Sequence, residues 1–449
     1  MKRELFGTDG IRGVAGEYPL DRKTVFAIGA AVGRWLHEKH AAPELVIGTD
    51  TRESGQWIAE CVAGGLRQSR VKARFAGLIT TPGIAYTART GAFAAGVMIS
   101  ASHNSYEDNG IKVLDHSGFK LADSVEHAIE QNIFALLRED IDPVPTPLQP
   151  DAQIGEDYLD FLASTFHGSL EGVRIVVDAA NGSASFLGPR LLERLGAHVH
   201  TIGASPNGRN INLNCGSLHL DNLKAEVLKT GADLGVAFDG DADRALFVSH
   251  AGRMVDGDAV LLITGLAMHR AGKLVEADGK PVVIATIMSN LGLERALASH
   301  GIELVRTAVG DKYVLDEMLR RDAKLGGEQS GHVIYREFAT TGDGMLTALR
   351  VLEAMQESGE TLDELASRFT VFPQILVNVR VKEKRPLEEL GGVRDAIASA
   401  ERELGDSGRI NVRFSGTEQL ARVMVEGPTD AKVNSTAHRI ADAIRAELG

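Results

Sequence analysis

Three aspartates stand at alternate positions in Asp239-Gly240-Asp241-Ala242-Asp243-Arg244, directly after the apolar run Leu234 to Phe238. On an extended segment with a side-chain period of two, all three carboxylates would project to one side. Like charges at that density repel unless a cation sits among them, and hard oxygen ligands suit Mg²⁺ or Mn²⁺ better than zinc. An EF-hand loop is excluded, because its sixth and twelfth positions require Gly and Glu and hold Arg244 and His250 here. A solvated acidic turn is the plainer alternative, since Asp-Gly pairs are ordinary turn chemistry.

Other stretches carry chemistry of different kinds. Ser100-Ala101-Ser102-His103-Asn104 follows the apolar segment Gly96 to Ile99, where an α/β sheet presents its ligand-binding loops. Ser102 is a candidate nucleophile, and His103 assists it only if the loop bends both groups toward one point; a Ser/Asn-rich turn is the competing reading. Lys112 adds a cation downstream that, taken alone, reads as a solvated surface charge. Gly7 to Gly13 packs three glycines around polar groups, as a plain turn or a close backbone approach to a ligand would require. Gly327 to His332 sets Glu328, Gln329 and Ser330 between glycines, a set suited to vicinal sugar hydroxyls. Arg413-Phe414-Ser415-Gly416-Thr417-Glu418 joins a guanidinium to a donor-rich loop, and Arg422 follows on the next strand. Two arginines around such a loop suit a phosphate dianion, where a bare surface hairpin would also serve.

The elements that must position these loops show a weak repeat. Leu45 to Thr49, Val173 to Val177 and Val282 to Thr286 are each followed by a loop, a helical pattern and a second apolar strand. Three such units predict three α/β domains built on parallel pairs. Pro143, Pro145, Pro147 and Pro150 mark an extended connector after the first. Beyond Phe372-Pro373 the order becomes strand, helix, strand, strand, helix, which predicts an α+β domain. Boundaries are expected at 1–153, 154–253, 254–370 and 371–449.

At 449 residues the chain exceeds one compact core. A net charge of −13 argues against nucleic-acid or anionic-membrane partners, so an anionic substrate needs local cations. Cys61 and Cys215, the two cysteines, have no CxxC spacing; Cys61 lies on an apolar face and is expected in the core. The start lacks an apolar signal segment and the longest apolar runs fall short of a membrane span, so the expected location is cytoplasmic.

Taken together and in this order, these stretches resemble the α-D-phosphohexomutase superfamily. The resemblance spans the chain: Gly7 to Gly13, the serine loop with Glu107-Asp108-Asn109-Gly110, Asn210-Ile211-Asn212 with Cys215-Gly216-Ser217, the aspartate loop, Val309 to Val314, Gly327 to His332, Thr341 to Gly344 and the Arg413 loop. Gln329 and the Asn-Ile-Asn to Cys-Gly-Ser stretch point to its glucosamine branch.

The resemblance implies four domains around a central cleft, the last closing over a phosphosugar. It implies a phosphoserine at Ser102 and one Mg²⁺ per chain held by Ser102, Asp239, Asp241 and Asp243. Glu328 and Ser330 would grip sugar hydroxyls, and Arg413, Ser415, Gly416, Thr417 and Arg422 the phosphate that is not transferred. Arg12, His103, Lys112, Arg244 and His332 would line the reacting phosphate as acid, base or charge-neutralising groups. The implied reaction interconverts glucosamine 6-phosphate and glucosamine 1-phosphate, with glucosamine 1,6-bisphosphate as intermediate and activator, feeding UDP-N-acetylglucosamine and cell-wall synthesis. Phosphomannomutase or phosphoglucomutase activity on the same scaffold, a metal-dependent phosphatase and a phosphosugar-binding regulator are the competing functions; a regulator has no use for a serine beside three carboxylates. A homodimer is compatible with this reading. Ser105-Tyr106 replaces a usual Pro-Phe pair, and Phe414 and Gln419 replace two usual prolines. Those prolines stiffen loops without doing chemistry, so the departures bear on rigidity and substrate preference.

Overall fold

The computed structural model describes residues 4–7, 9–139, 142–275, 278–415 and 419–449. Its first sheet contains β1 (Phe6–Gly7), β2 (Gly10–Val14), β3 (Glu44–Thr49), β4 (Lys72–Leu78), β5 (Ala95–Ile99) and β6 (Asp108–Asp115), in the order β1-β2-β6-β5-β3-β4. The second contains β7 (Arg174–Asp178), β8 (His198–Ile202), β9 (Leu234–Phe238), β10 (Ala245–Ser249) and β11 (Met254–Val255), in the order β11-β10-β9-β7-β8. The third contains β12 (Val282–Thr286), β13 (Glu303–Thr307), β14 (Leu325–Gly327) and β15 (Val333–Tyr335), in the order β13-β12-β14-β15.

One plan recurs in all three. A parallel pair encloses a helix: β3 and β4 around Gly55–Gln68, β7 and β8 around Ala184–Arg194, β12 and β13 around Leu291–Ala298. The first strand of each pair takes a second parallel partner on its other side, β5, β9 or β14. That strand then pairs with an antiparallel neighbour, β6, β10 or β15. The repeat read in the sequence is therefore real and longer by two strands, which short apolar runs and intervening loops conceal. Strands β3, β7 and β12 are buried along nearly their whole length, as inner parallel strands are expected to be.

These three units share packing: one apolar core runs from Val46 and Met98 through Val177 and Phe238 to Leu325 and Leu349. Within it the buried Tyr158 hydroxyl donates to Asp343 at 2.7 Å, and Asp343 caps the helix Gly344–Ser358. The proline-rich stretch 142–149 has no regular secondary structure, and its Thr146 N–H donates to the Glu60 carbonyl at 2.9 Å.

The last sheet, β16 (Gln374–Arg380), β17 (Arg409–Phe414) and β18 (Leu420–Glu426), is antiparallel in the order β16-β18-β17. Backed by the helices Gly391–Leu404 and Asp430–Leu448, it has a separate core around Val379, Val423 and Ile440. A polar seam joins it to the third unit. Arg409 donates to the carbonyls of Ile287 (2.8 Å) and Ser289 (2.9 Å), and Glu426 accepts the Leu291 N–H at 3.2 Å. Among the described residues, no helix is long and apolar enough to cross a membrane. Cys61 and Cys215 are both buried and free.

Candidate active site

Each of the three repeats contributes one loop at the same topological place, the turn from its third strand into the antiparallel neighbour. Ser102 lies between β5 and β6, the aspartates between β9 and β10, and Glu328 to His332 between β14 and β15. Parallel strands deliver such loops to one end of their sheets, where α/β proteins bind ligands. The hairpin β1–β2 joins them, because β2 pairs with β6 and sets Arg12 opposite Gly110. Gly10 must be glycine there: its φ is +79° and a Cβ would stand 2.4 Å from the Ile111 carbonyl oxygen. A cavity of about 430 Å³ opens between these parts, with Asp9, Arg12, His103, Asp243, Arg244, Asp311, Glu328 and His332 in its wall.

The aspartates converge for a reason other than the expected one. Residues 239–244 form a wound hairpin loop rather than an extended segment, with Ala242 at φ +55° and its N–H on the Asp239 carbonyl at 3.0 Å. Winding, not a period of two, brings one oxygen of each carboxylate within 4.8 Å of the others. Ser102 Oγ donates to Asp239 Oδ2 at 2.6 Å, while His103 Nδ1 lies 3.4 Å away. Burial, with Asp243 and Asp241 nearby, pushes the Asp239 carboxyl well above its usual range. A cation among the three would reverse that tendency.

Lys112 is no surface charge. It is 2% exposed, with Nζ 2.8 Å from Asp241 and 3.0 Å from Asp9. Burial works against its charge, but Asp241, Asp9 and Asp243 outweigh burial and hold its pKa above the ordinary lysine value. Even so, Oδ1 of Asp241 and Oδ1 of Asp243 are buried and accept no hydrogen bond among the described residues. Two orphaned anionic oxygens beside Asp239 fit a divalent cation with hard-ligand preference.

Cations and imidazoles surround this cluster. Arg12 pairs with Asp9, and its Nη1 stands 3.5 Å from the Ala101 carbonyl. Arg244 Nε is 3.7 Å from Asp243, and the Arg244 N–H donates to Asp239 at 3.2 Å. Nε2 of His332 accepts the Gly342 N–H at 2.9 Å, leaving Nδ1 facing Asp243 at 3.5 Å. Burial disfavours the charged ring, yet Asp243, Asp311 and Glu328 outweigh it and raise the His332 pKa. Burial, then Arg244 and Arg12, lowers that of His103. The shifts of the two histidines therefore run in opposite directions on one cavity wall.

Glu328 accepts the Gly310 N–H at 3.0 Å, and the buried Ser330 Oγ has no hydrogen-bond partner among the described residues. Arg413 and Arg422 stand directly opposite each other on β17 and β18. Burial first, and Arg422 second, lowers the Arg413 pKa. Ser415 is buried, its N–H on the Leu420 carbonyl at 2.8 Å; Gly416 and Thr417 lie outside the described residues. Among the described residues, the cavity wall includes none from this last unit.

Comparison with known proteins now bears on the chain. Four family models match in order: phosphoglucomutase/phosphomannomutase alpha/beta/alpha domain I at residues 3–139, domain II at 156–252, domain III at 256–372 and the C-terminal domain at 376–443. A phosphoglucosamine mutase of Solibacter usitatus is 57% identical over 449 residues, covering 100% of both chains. The chain belongs to the phosphoglucosamine mutase family. A second phosphoglucosamine mutase, of Koribacter versatilis, is 50% identical over 100% of this chain and 98% of its own. Members of this family are phosphohexomutases, isomerases that act as intramolecular phosphotransferases. Among solved structures, a phosphoglucomutase/phosphomannomutase family protein of Burkholderia thailandensis has the same fold, with a TM-score of 0.81 at 21% identity over 99% of this chain and 98% of that one. An N-acetylphosphoglucosamine mutase of Aspergillus fumigatus, solved with GlcNAc-6P and magnesium, gives a TM-score of 0.64 at 18% identity over 100% and 96%.

Within this phosphoglucosamine mutase framework, several residues at the site were not singled out from sequence. Asp9 and Asp311 hold Lys120 between them, with Nζ 2.6 Å from Asp9 and 2.5 Å from Asp311, bridging the first and third units beside the cavity. Thr81 donates to Asp241 at 2.5 Å. Position in the glycine-rich segment was the signal for Asp9; Thr81 and Lys120 sit in unremarkable sequence. The missing proline after Asn104 has a substitute, since Arg52 donates to the Ser105 carbonyl and Arg209 faces the Tyr106 ring at 5.9 Å.

Proposed function

We propose that this chain interconverts glucosamine 6-phosphate and glucosamine 1-phosphate, with Ser102 as covalent carrier of the phosphoryl group. The observation that carries this reading is the 2.6 Å contact of Ser102 Oγ with Asp239, beside two buried carboxylate oxygens that accept no hydrogen bond among the described residues. The naming of full-length relatives supports the amino-sugar substrate, and the Aspergillus complex with GlcNAc-6P and magnesium supports the substrate class and the metal.

In the first half-reaction a hydroxyl oxygen of the sugar monophosphate attacks the phosphorus of phosphoserine 102. The bond from phosphorus to Ser102 Oγ breaks, and the sugar hydroxyl yields its proton to a base on the cavity wall, His332 and His103 being the candidates. The product is glucosamine 1,6-bisphosphate. After it turns around, Ser102 Oγ gives up its proton and attacks the phosphorus of the other phosphate; the bond from that phosphorus to the sugar oxygen breaks, and the protonated base returns a proton to that oxygen as the isomeric monophosphate leaves. Asp239, Asp241 and Asp243, with the Ser102 phosphate, would hold Mg²⁺, which when bound would offset charge on the transferring phosphoryl group. Arg12, Lys112 and Arg244 add fixed positive charge where that group passes. Glu328 and Ser330 grip ring hydroxyls in both orientations, and Arg413, Ser415, Gly416, Thr417 and Arg422 hold the distal phosphate. Bisphosphate that escapes mid-cycle leaves Ser102 bare, so added bisphosphate would activate. The product would supply UDP-N-acetylglucosamine and cell-wall synthesis. We assign these roles to domains 1–153, 154–253, 254–370 and 371–449.

Phosphorus NMR on the Mg²⁺-loaded protein with glucosamine 6-phosphate, glucose 6-phosphate and mannose 6-phosphate in parallel tests the reading. The expected spectrum shows the 1-phosphate growing fastest from glucosamine 6-phosphate. Inorganic phosphate as the only product, or faster conversion of either other sugar, would overturn it.

A further inference from the structure

The Asn210-Ile211-Asn212 stretch of the second unit has no part in the chemistry above, yet one of its side chains reaches the serine loop of the first. Asn212 Nδ2 donates to the carbonyl of Ser102 at 2.9 Å and to that of Asn104 at 3.0 Å. An amide NH₂ carries two hydrogens, so one nitrogen serves both oxygens. From the other side, Arg52 Nη2 donates to the same two carbonyls, at 3.0 Å and 3.0 Å. The Arg52 guanidinium is itself fixed by Asp50 at 2.9 Å, and neither side chain is exposed. Asp50 also accepts from Ser100 Oγ at 2.6 Å, and Ser100 Oγ accepts the Ser102 N–H at 2.9 Å. Every backbone polar group of Ser102 is thereby tied.

Such over-determination has a physical purpose here. Ser102 lies at φ +52°, a region that non-glycine residues keep only when their surroundings impose it. Released from the clamp, the loop would relax and carry Oγ away from Asp239. Asn212 is equally constrained: its φ is +59° and its N–H is held by the Ala180 carbonyl at 2.8 Å. The aspartate loop packs against the same point. A Cβ on Gly240 would stand 2.4 Å from the Ser102 carbonyl oxygen and 2.9 Å from Asn212 Nδ2, so only glycine admits that approach.

We infer that Asn212 is a positioning residue for the nucleophile: it transmits the docking of the second unit to the serine loop and keeps Ser102 Oγ in register with the three aspartates. The inference rests on the reading of Ser102 as phosphoryl carrier. It predicts that Asn212→Ala slows phosphoryl transfer without weakening substrate binding.

The test uses the full chain, stripped of phosphate, mixed with glucosamine 1,6-bisphosphate and Mg²⁺, with phosphate on Ser102 followed by intact mass and peptide mapping. Asn212→Ala should lower the rate of Ser102 phosphorylation and kcat by about tenfold to a hundredfold, the scale expected when a reacting atom loses its placement. KM for both monophosphates and Tm should hold. Asn212→Asp keeps the shape but turns lone pairs toward two carbonyls, so it should lose at least as much; a residue that only fills space would tolerate it. Should Asn212→Ala fail to fold, Asn212→Ser is scored by the same rates. A variant that takes phosphate at the wild-type rate, an Asn212→Asp variant with wild-type kcat, or a rise in KM at unchanged kcat overturns the positioning role while leaving Ser102 as carrier. Wild-type protein that never takes phosphate on Ser102 sinks the carrier reading and the inference with it.

Discussion

The serine and aspartate loops and the Arg413 loop arrange charge differently. Around Ser102 the buried cations are answered inside the protein, Lys112 by Asp241 and Asp9, Arg52 by Asp50, Lys120 by Asp9 and Asp311, while Asp241 and Asp243 each keep one buried oxygen that accepts no hydrogen bond among the described residues. On the last sheet, Arg413 and Arg422 are placed opposite each other, and burial first, with Arg422 second, lowers the Arg413 pKa. The first arrangement fits the proposed phosphoryl group and metal, and the second fits the phosphate dianion proposed to bind at Arg413. Packing follows the same division, since the first three units share a core and the last keeps its own behind a polar seam. The contrast suits the proposed reaction, in which the chemistry would stay fixed while a bisphosphate turns around.

Substitutions on each side should fail differently. The largest effect is expected from Ser102→Ala, which should abolish turnover and eliminate phosphate at this position while leaving the thermal melt unchanged, because one small hydroxyl adds little stability. Steady-state assays with peptide mapping check this. Asp241→Asn comes next: it removes one carboxylate of the triad and should weaken Mg²⁺ binding, measured by calorimetry, by at least the roughly 10–100-fold that losing an outer partner costs. Unchanged Mg²⁺ affinity would put the metal elsewhere.

Arg413→Ala should spare the chemistry and raise KM for both monophosphates, since either orientation sets a phosphate there. Losing a hydrogen bond to a charged group costs about 1.5–3 kcal/mol, or roughly tenfold to a hundredfold in binding. The variant should also depend more on added bisphosphate. A KM effect on only one isomer would contradict a shared anchor. The smallest change is expected at the rim between the first two units, where the exposed pair Arg209–Glu53 spans 2.7 Å. Glu53→Ala should leave kcat and the melting temperature unmoved, because exposed pairs contribute little; this sets an exposed contact across that boundary against the buried one made by Asn212.

Much of this was legible in the sequence because the strongest signals are local. Apolar strands followed by helical patterns gave three parallel units, and Asp239, Asp241 and Asp243 announced themselves by density alone. The shape of their loop was not legible: alternation suggested an extended run, and only the antiparallel return of β10 onto β9, with Ala242 left-handed, explains the convergence. Lys112 read as solvated because its partners are remote in sequence: Asp9 arrives from the turn between β1 and β2, and Asp241 from another unit. Asn212 belonged to a motif without an assigned task, and its task became visible only against the carbonyls of Ser102 and Asn104.

The fate of a label on Ser102 tests the central claim most directly. Protein carrying ³²P at Ser102 is mixed with Mg²⁺ and unlabelled glucosamine 6-phosphate in a single turnover, and the products are separated. The account predicts that label leaves Ser102, passes through the bisphosphate and emerges in sugar monophosphate, with Ser102 rephosphorylated from the substrate. Label that stays on Ser102 while isomer accumulates, or that leaves as inorganic phosphate, would contradict it.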